Sequence, residues 1–380
     1  MKVLISTLAC DAGKSGVGQY LIHLLQELPC LAPDMQFDLL ALKDDVRHYV
    51  TNPDQFKILT VGKPYRSPFA NLLWQQAALP RICAGKHYDL LFIPAGNRRL
   101  PYYVPCPSVG TFHDFAILHV PGKYDRVHTL YNMNLLPALV RKLTMVIADS
   151  EFTRRDVITY IKVPEERVSV IPLAASELYH PRNKEECSAY VSERYKVRTP
   201  YILYISRIEH PGKNHVRLIR AFARFKEKEK TPHQLLLAGS DWSCAEEVHR
   251  EAAACSASKD IVFTGFVAGD DLPQLYCASD LFVFPSLFEG FGLPILEAMR
   301  CAVPVACSNT SSLPEVAGNA ALLFDPYDED AIEDTLRRIL TSDSLREELV
   351  QAGLVWSKKF GWPETAIKTL EVFRKAHSLR

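Results

Sequence analysis

The chain has 380 residues, 48% of them hydrophobic and 23% charged, and its 44 basic side chains balance 44 acidic ones. That composition excludes a disordered, collagenous, coiled-coil or multi-span membrane protein, and zero formal charge leaves no long-range field to attract nucleic acid. The length is enough for two or three domains with sizeable cores.

The start, MKVLISTLAC, has one Lys and too short an apolar stretch for a secretory signal, so it reads as an opening strand. The ten Cys include no C-x-x-C pair and sit mostly in apolar runs, which suits free thiols in a reducing compartment. A cytoplasmic location is expected.

After the strand KVLIS (2–6), apolar residues at helical spacing predict a helix over 17–28. FDLLAL (37–42), DLLFIP (89–94), SVGTFHD (108–114) and MVIADS (145–150) repeat the strand signature, with helical patterns between several of them. Unalternating apolar runs mark strands covered on both faces, and strand–helix–strand succession means a parallel sheet.

After VSVIPLAA (168–175), the polar, proline-flanked stretch 180–200 reads as a linker or peripheral excursion. The alternation then restarts through YILYIS (201–206), QLLLAG (234–239), IVFTGF (261–266), DLFVFP (280–285), PVACS (304–308) and ALLF (321–324). Helices are expected near 214–229, 245–257, 271–278, 294–300 and from about 362 to the end. The fold expected is α/β: two doubly wound Rossmann-like domains facing across a cleft. The first spans 1–178, joined by the terminal helix at about 362–380, and the second spans 179–361.

The strongest local signal is FPSLFEGFGLPILEAM (284–299). A strand ends, a glycine-bearing loop follows, and Pro294 stands where a helix favours it. Backbone amides at such a helix start can cradle an anion or a hydroxyl. Glu289 lies on the loop and Glu297 one or two turns into the helix, so the two carboxylates serve different parts of one ligand. Arg207 follows the strand YILYIS and Lys213 precedes the next helix. Both therefore lie at the C-terminal edge of the second sheet, where doubly wound folds bind ligands.

In the first domain, Gly13-Lys-Ser-Gly16-Val-Gly18 follows the first strand but matches neither a P-loop nor G-x-G-x-x-G. It reads as a turn that lets a phosphate or sugar approach the backbone. His113 and Asp114 close the strand SVGTF. Asp328-Glu-Asp330 has the D-x-D spacing of metal-dependent sugar transferases, yet it opens a helix and reads as a cap.

This combination resembles the retaining glycosyltransferases of family 4, which have the GT-B architecture. The carrying residues are the E-x7-E pair Glu289/Glu297, the S-R-x5-K pattern of Arg207 and Lys213, His113-Asp114, SGVGQY (15–20) and ADSEFTRRDV (148–157). One departure is the IEHPG stretch between Arg207 and Lys213, which keeps both charges.

The resemblance implies that Arg207 and Lys213 bind the donor diphosphate and that Glu297 takes the ribose hydroxyls. It implies that Glu289 holds the donor sugar's hydroxyls with the amides of Gly290, Phe291 and Gly292, beside Leu293. Gly16 would let the backbone close on the phosphate, and His113 would touch the sugar from the opposite domain. Two cations supply the charge stabilisation of a leaving diphosphate, so no metal or other cofactor is expected.

The expected activity is therefore transfer of a hexose from a nucleotide-sugar to a glycan or lipid-linked saccharide in polysaccharide biosynthesis. No motif encodes the donor base; UDP-glucose is placed first and GDP-mannose second. A nucleotide-sugar 2-epimerase of the same architecture and a non-catalytic carbohydrate-binding protein are the alternatives. RRLPYYVPC (98–106) and RSPFANLLW (66–74) could form an interfacial lip or an acceptor groove in the first domain, or simply loop and core packing. A peripheral position at the inner face of the membrane is compatible with the first of these.

Overall fold

The structure is a computed structural model that describes residues 1–11, 15–50, 52–120 and 129–379. Its chain divides into two units: Met1–Ala174 with Gly361–Arg380, and Ala175–Phe360.

In the first unit, seven parallel strands run in the order β3-β2-β1-β4-β5-β6-β7. They are β1 (Lys2–Ser6), β2 (Gln36–Leu42), β3 (Lys57–Val61), β4 (Leu90–Ile93), β5 (Ser108–Phe112), β6 (Met145–Ala148) and β7 (Val168–Val170). The central strands β4, β5 and β6 are buried at every position, which is why they are written without polar alternation. The helix Gly16–Leu31 covers the sheet through Tyr20, Leu21, Leu24, Leu25 and Leu28. Its neighbour is the terminal helix Trp362–Ser378, whose Phe373 ring lies 4.9 Å from that of Phe92 on β4.

The second unit carries six parallel strands in the order β10-β9-β8-β11-β12-β13. They are β8 (Tyr201–Ile205), β9 (Gln234–Ala238), β10 (Ile261–Gly265), β11 (Leu281–Phe284), β12 (Val305–Ser308) and β13 (Leu322–Phe324). Strand order reverses direction between β1 and β4 in the first sheet and between β8 and β11 in the second. Loops leaving the carboxyl ends of such strand pairs diverge and open a crevice for a ligand.

The stretch 180–200, expected as a linker or peripheral excursion, carries the helix Lys184–Tyr195. Asn183 caps it by accepting a hydrogen bond from the Glu186 amide at 2.9 Å. Cys187 and Val191, one turn apart, bury a narrow stripe. Tyr190, Arg194 and Tyr195 all converge on the Asp271 carboxylate at 2.6–2.9 Å. A polar sequence is thus held as a helix by one stripe and one shared acceptor.

Candidate active site

At the switch point of the second sheet, the loop after β8 brings Arg207 and Lys213 to the strand ends, and the loop after β11 brings Glu289. Lys213 Nζ donates to Glu289 Oε1 at 2.6 Å, with both side chains more than four-fifths covered. Arg207 stands apart from that pair. Its guanidinium lies 3.7 Å from the buried Glu209 carboxylate and 4.9 Å from the centre of the Trp242 ring, and half of its side chain is exposed.

Three side chains set the Lys213 loop. Tyr204, at the end of β8, donates its hydroxyl to the Lys213 carbonyl at 2.7 Å. Asn214 takes a left-handed conformation at φ +60°, and its amide donates to the carbonyls of Pro285 and Pro326. His215 packs its ring 4.7 Å from Tyr204 and is fully buried, which pushes its pKa down to about 3. Its Nδ1 faces the Glu209 carbonyl and its Nε2 the Ser206 hydroxyl, so this imidazole is a neutral prop. The motif-based reading missed Asn214 and His215, because a residue that supports a loop leaves no spacing signature.

The Glu289 loop is laced to the segment after β12. Thr310 donates to the Leu287 carbonyl, Ser311 accepts from the Glu289 amide, and Ser312 sits within hydrogen-bond distance of the Glu289 and Phe291 carbonyls. Gly290 is buried, and Phe291 is buried with its ring edge on Phe360. Gly292 adopts φ +109°, and a Cβ there would meet Leu313 at 2.7 Å, so both backbone and space require glycine. Leu293 then opens the helix Leu293–Arg300.

Glu297 is one turn into that helix. Tyr276 donates its hydroxyl to Glu297 Oε2 at 2.8 Å, and Tyr179 is a second hydroxyl partner. Burial pushes the Glu297 carboxyl up to about 7, against the pull of both tyrosines. Glu289 is thus paired to a cation, while Glu297 is held by neutral donors. The two carboxylates differ in charge environment as well as in position.

In the first unit, His113 directly follows β5 and is buried. Its Nε2 lies 2.9 Å from the Pro94 carbonyl oxygen and its Nδ1 3.1 Å from Asp149 Oδ2. A carbonyl only accepts, so Nε2 carries a hydrogen, and one further proton lies between Nδ1 and Oδ2. The pair is net neutral wherever that proton sits. Burial pushes the Asp149 carboxyl up to about 7, opposed by His113. Asp149 Oδ1 is buried without a hydrogen-bond partner among the described residues.

Gly16 is the exposed first residue of its helix; Gly13 and Lys14 of the same motif lie outside the described residues. Arg98 donates to the Ala9 carbonyl at 3.0 Å and pairs with Asp11 at 3.3 Å. Part of the RRLPYYVPC stretch therefore props the loop after β1. Asp328 caps the helix Glu329–Leu340 by accepting from the amides of Asp330 and Ala331, and Asp330 pairs with Arg224 at 2.7 Å.

Two doubly wound parallel sheets, with cations and carboxylates gathered at the switch point of the second, define a two-unit transferase of the GT-B kind. The family model "Glycosyltransferase Family 4" matches residues 14–175, and "Glycosyl transferases group 1" matches residues 191–356. The chain is 35% identical over 274 residues to O-antigen chain mannosyltransferase B of Escherichia coli, covering 70% of each. It is 34% identical over 288 residues to the serotype-specific mannosyltransferase WbdA of Escherichia coli, but spans only 34% of that longer protein. Among solved structures, sucrose-phosphate synthase from Thermosynechococcus elongatus superposes over 100% of both chains with a TM-score of 0.79 at 19% identity, a likeness of fold. The chain belongs to the group 1/family 4 glycosyltransferases, and it is a glycosyltransferase of GT-B fold.

Proposed function

We propose that the chain moves a hexose, with retention and without a metal, from a nucleotide-sugar to a glycan or lipid-linked saccharide in polysaccharide synthesis. The observation that carries this reading is the Lys213–Glu289 pair at the β8/β11 switch point, with Arg207 on the same sheet edge. The relatives named as mannosyltransferases support mannose as the sugar. They support GDP-mannose ahead of UDP-glucose as the donor.

In this reading, Arg207 and Lys213 face the diphosphate. As the bond between the anomeric carbon and the β-phosphate oxygen breaks, negative charge grows on that oxygen and the two cations stabilise it. The acceptor oxygen then bonds the anomeric carbon from the same face and passes its proton to the departing phosphate oxygen. Glu289 gives up its pairing with Lys213 to the phosphate and turns to the sugar hydroxyls, aided by the amides of Gly290, Phe291 and Gly292. Glu297 takes the ribose. Gly16 allows close approach of the backbone, and His113 contacts the sugar by exchanging its Pro94 carbonyl for a hydroxyl.

The second unit is assigned the donor and the first the acceptor. Phe69, Leu73, Tyr102 and Tyr103 of the first unit are exposed, and Lys142 lies over the Tyr102 ring. This apolar surface with a basic neighbour supports contact of the first unit with a lipid-linked acceptor at the inner face of the membrane. No helix among the described residues is long and apolar enough to cross one.

Incubation with GDP-mannose or UDP-glucose and a saccharide acceptor tests the reading. Sugar transfer that persists in EDTA, with the anomeric configuration kept by NMR, is expected. Loss of activity in EDTA would remove the metal-free mechanism. Turnover of a nucleotide-sugar without acceptor would favour an epimerase, and binding without turnover a carbohydrate-binding protein.

A further inference from the structure

The two arginines of RRLPYYVPC follow β4 at the β1/β4 switch point of the first sheet, and the fold treats them differently. Arg98 is committed: its guanidinium reaches the Ala9 carbonyl at 3.0 Å and the Asp11 carboxylate at 3.3 Å. Arg99 makes a hydrogen bond only at the limit of its range, 3.5 Å from Nη1 to the Leu8 carbonyl oxygen. No carboxylate among the described residues pairs with it, and the ionisable groups that act on it are Arg98 and Tyr131. It is nonetheless half-buried, and burial, with the like charge of Arg98, pulls its pKa down.

Tyr131 is the second uncommitted group. It opens a π-turn (Tyr131–Leu135) on the way to β6, and its ring packs against the core of the first unit. Its hydroxyl is buried without a hydrogen-bond partner among the described residues, while Arg99 and the Leu100 backbone act on it. A buried cation without an anion and a buried hydroxyl without a partner are arrangements that folding normally avoids. A guanidinium only donates, and a phenol hydroxyl can donate too. One ligand group relieves both: an anion with oxygens to spare. A carboxylate has two oxygens and the guanidinium fork takes both, whereas a phosphoryl group keeps a third for the tyrosine. Farther along the same stretch, Tyr102 and Tyr103 are each 64% exposed, so the segment that carries the cation also carries an aromatic surface.

We propose that Arg99 and Tyr131 hold a phosphoryl group of the acceptor, so that the acceptor is a saccharide joined through phosphate to a lipid and not the neutral end of a long glycan. The proposal rests on the reading of the chain as a nucleotide-sugar transferase whose first unit takes the acceptor, and it adds a charge to that acceptor. Arg98 stays with Asp11 and keeps the loop after β1 in place. Arg99 exchanges its long contact with the Leu8 carbonyl for two phosphoryl oxygens, and the Tyr131 hydroxyl donates to another.

The test is calorimetry on the parent chain, Arg99→Gln and Tyr131→Phe, with GDP or UDP held at saturation so that the cations of the second unit are already occupied. The probes are geranyl diphosphate, inorganic pyrophosphate and geraniol. Arg99→Gln is expected to weaken geranyl diphosphate on the order of tenfold or more, and Tyr131→Phe by about threefold. Both variants should leave nucleotide affinity within about twofold and geraniol unaffected, since neither ligand depends on the added phosphoryl site. The melting temperature of Tyr131→Phe should not fall, because its hydroxyl has no partner to lose; a fall would mean that the hydroxyl is structural and would overturn its role. Equal affinity of the parent for pyrophosphate and geranyl diphosphate, both lost in Arg99→Gln, would mean a free phosphate there and overturn the lipid-linked acceptor. Geranyl diphosphate binding unchanged in both variants, or displaced by the nucleotide, would overturn the proposal while the transferase reading stands. A parent chain that binds neither nucleotide nor geranyl diphosphate would remove both.

Discussion

The strand-end polar groups of the two sheets are built on opposite plans. After β5, His113 is buried and both ring nitrogens are committed, one to a carbonyl and one to Asp149. After β8 and β11, Arg207 is half exposed and Lys213 is paired to another loop side chain, Glu289. The first arrangement is closed on itself and holds its unit together. The second keeps charge available, since an ion pair can be exchanged for a ligand that offers a stronger anion. Cutting the first edge should therefore cost stability together with the sugar contact of His113, and cutting the second should cost chemistry alone.

Lys213→Ala is the hardest strike at the second plan. It should lower sugar transfer on the order of a thousandfold and weaken nucleotide affinity too, read by steady-state kinetics and calorimetry. Transfer at the parent rate would remove the diphosphate role. Glu289→Ala sharpens the comparison by separating sugar from phosphate. Turnover is expected to fall on the order of a hundredfold while nucleotide affinity stays within about threefold. A parallel loss of nucleotide affinity would show that Glu289 serves by positioning Lys213.

His113→Ala tests the closed plan. It leaves the buried Asp149 carboxyl without its partner, and urea unfolding should register a loss of about 3 kcal/mol. Adding Asp149→Asn should cost little further, because without His113 that buried carboxyl is already held protonated. If the single variant unfolds like the parent, the pair is not what holds that edge.

The smallest effect is expected at Glu297, whose carboxyl titrates near 7 in the fold instead of 4.5. A raised acid favours the protonated state in the fold. Its contribution is complete below about pH 4.5 and disappears as pH rises through about 7. Glu297→Gln does not titrate, so its melting temperature relative to the parent should climb by a few degrees between pH 4.5 and 8. A difference independent of pH would mean that the carboxyl is not held neutral.

Most of the sheet was legible because buried parallel strands are written as unbroken apolar runs, as in LLFI of β4 and LFVF of β11. The edge strand β3, KILTV, escaped notice because only Val61 is buried and Lys57 and Thr60 are exposed. The helix Lys184–Tyr195 escaped because two buried side chains in twelve residues make no visible period. In the site, sequence spacing paired Glu289 with Glu297 and Arg207 with Lys213. It could not show that Lys213 and Glu289, 76 residues apart, meet at 2.6 Å.

The terminal helix changes how the polypeptide must be assembled. Trp362 lies face to face with His23, ring centres 4.8 Å apart, and Thr365 donates to the Pro172 carbonyl. The unit that begins with Met1 thus acquires its last wall from residues after Gly361. On a ribosome, the second unit emerges entire before the first can be sealed. The apolar flank of the helix Gly16–Leu31 waits uncovered until those residues emerge. A released chain truncated after residue 360 should therefore carry a protease-resistant second unit and a first unit that is still open to cleavage.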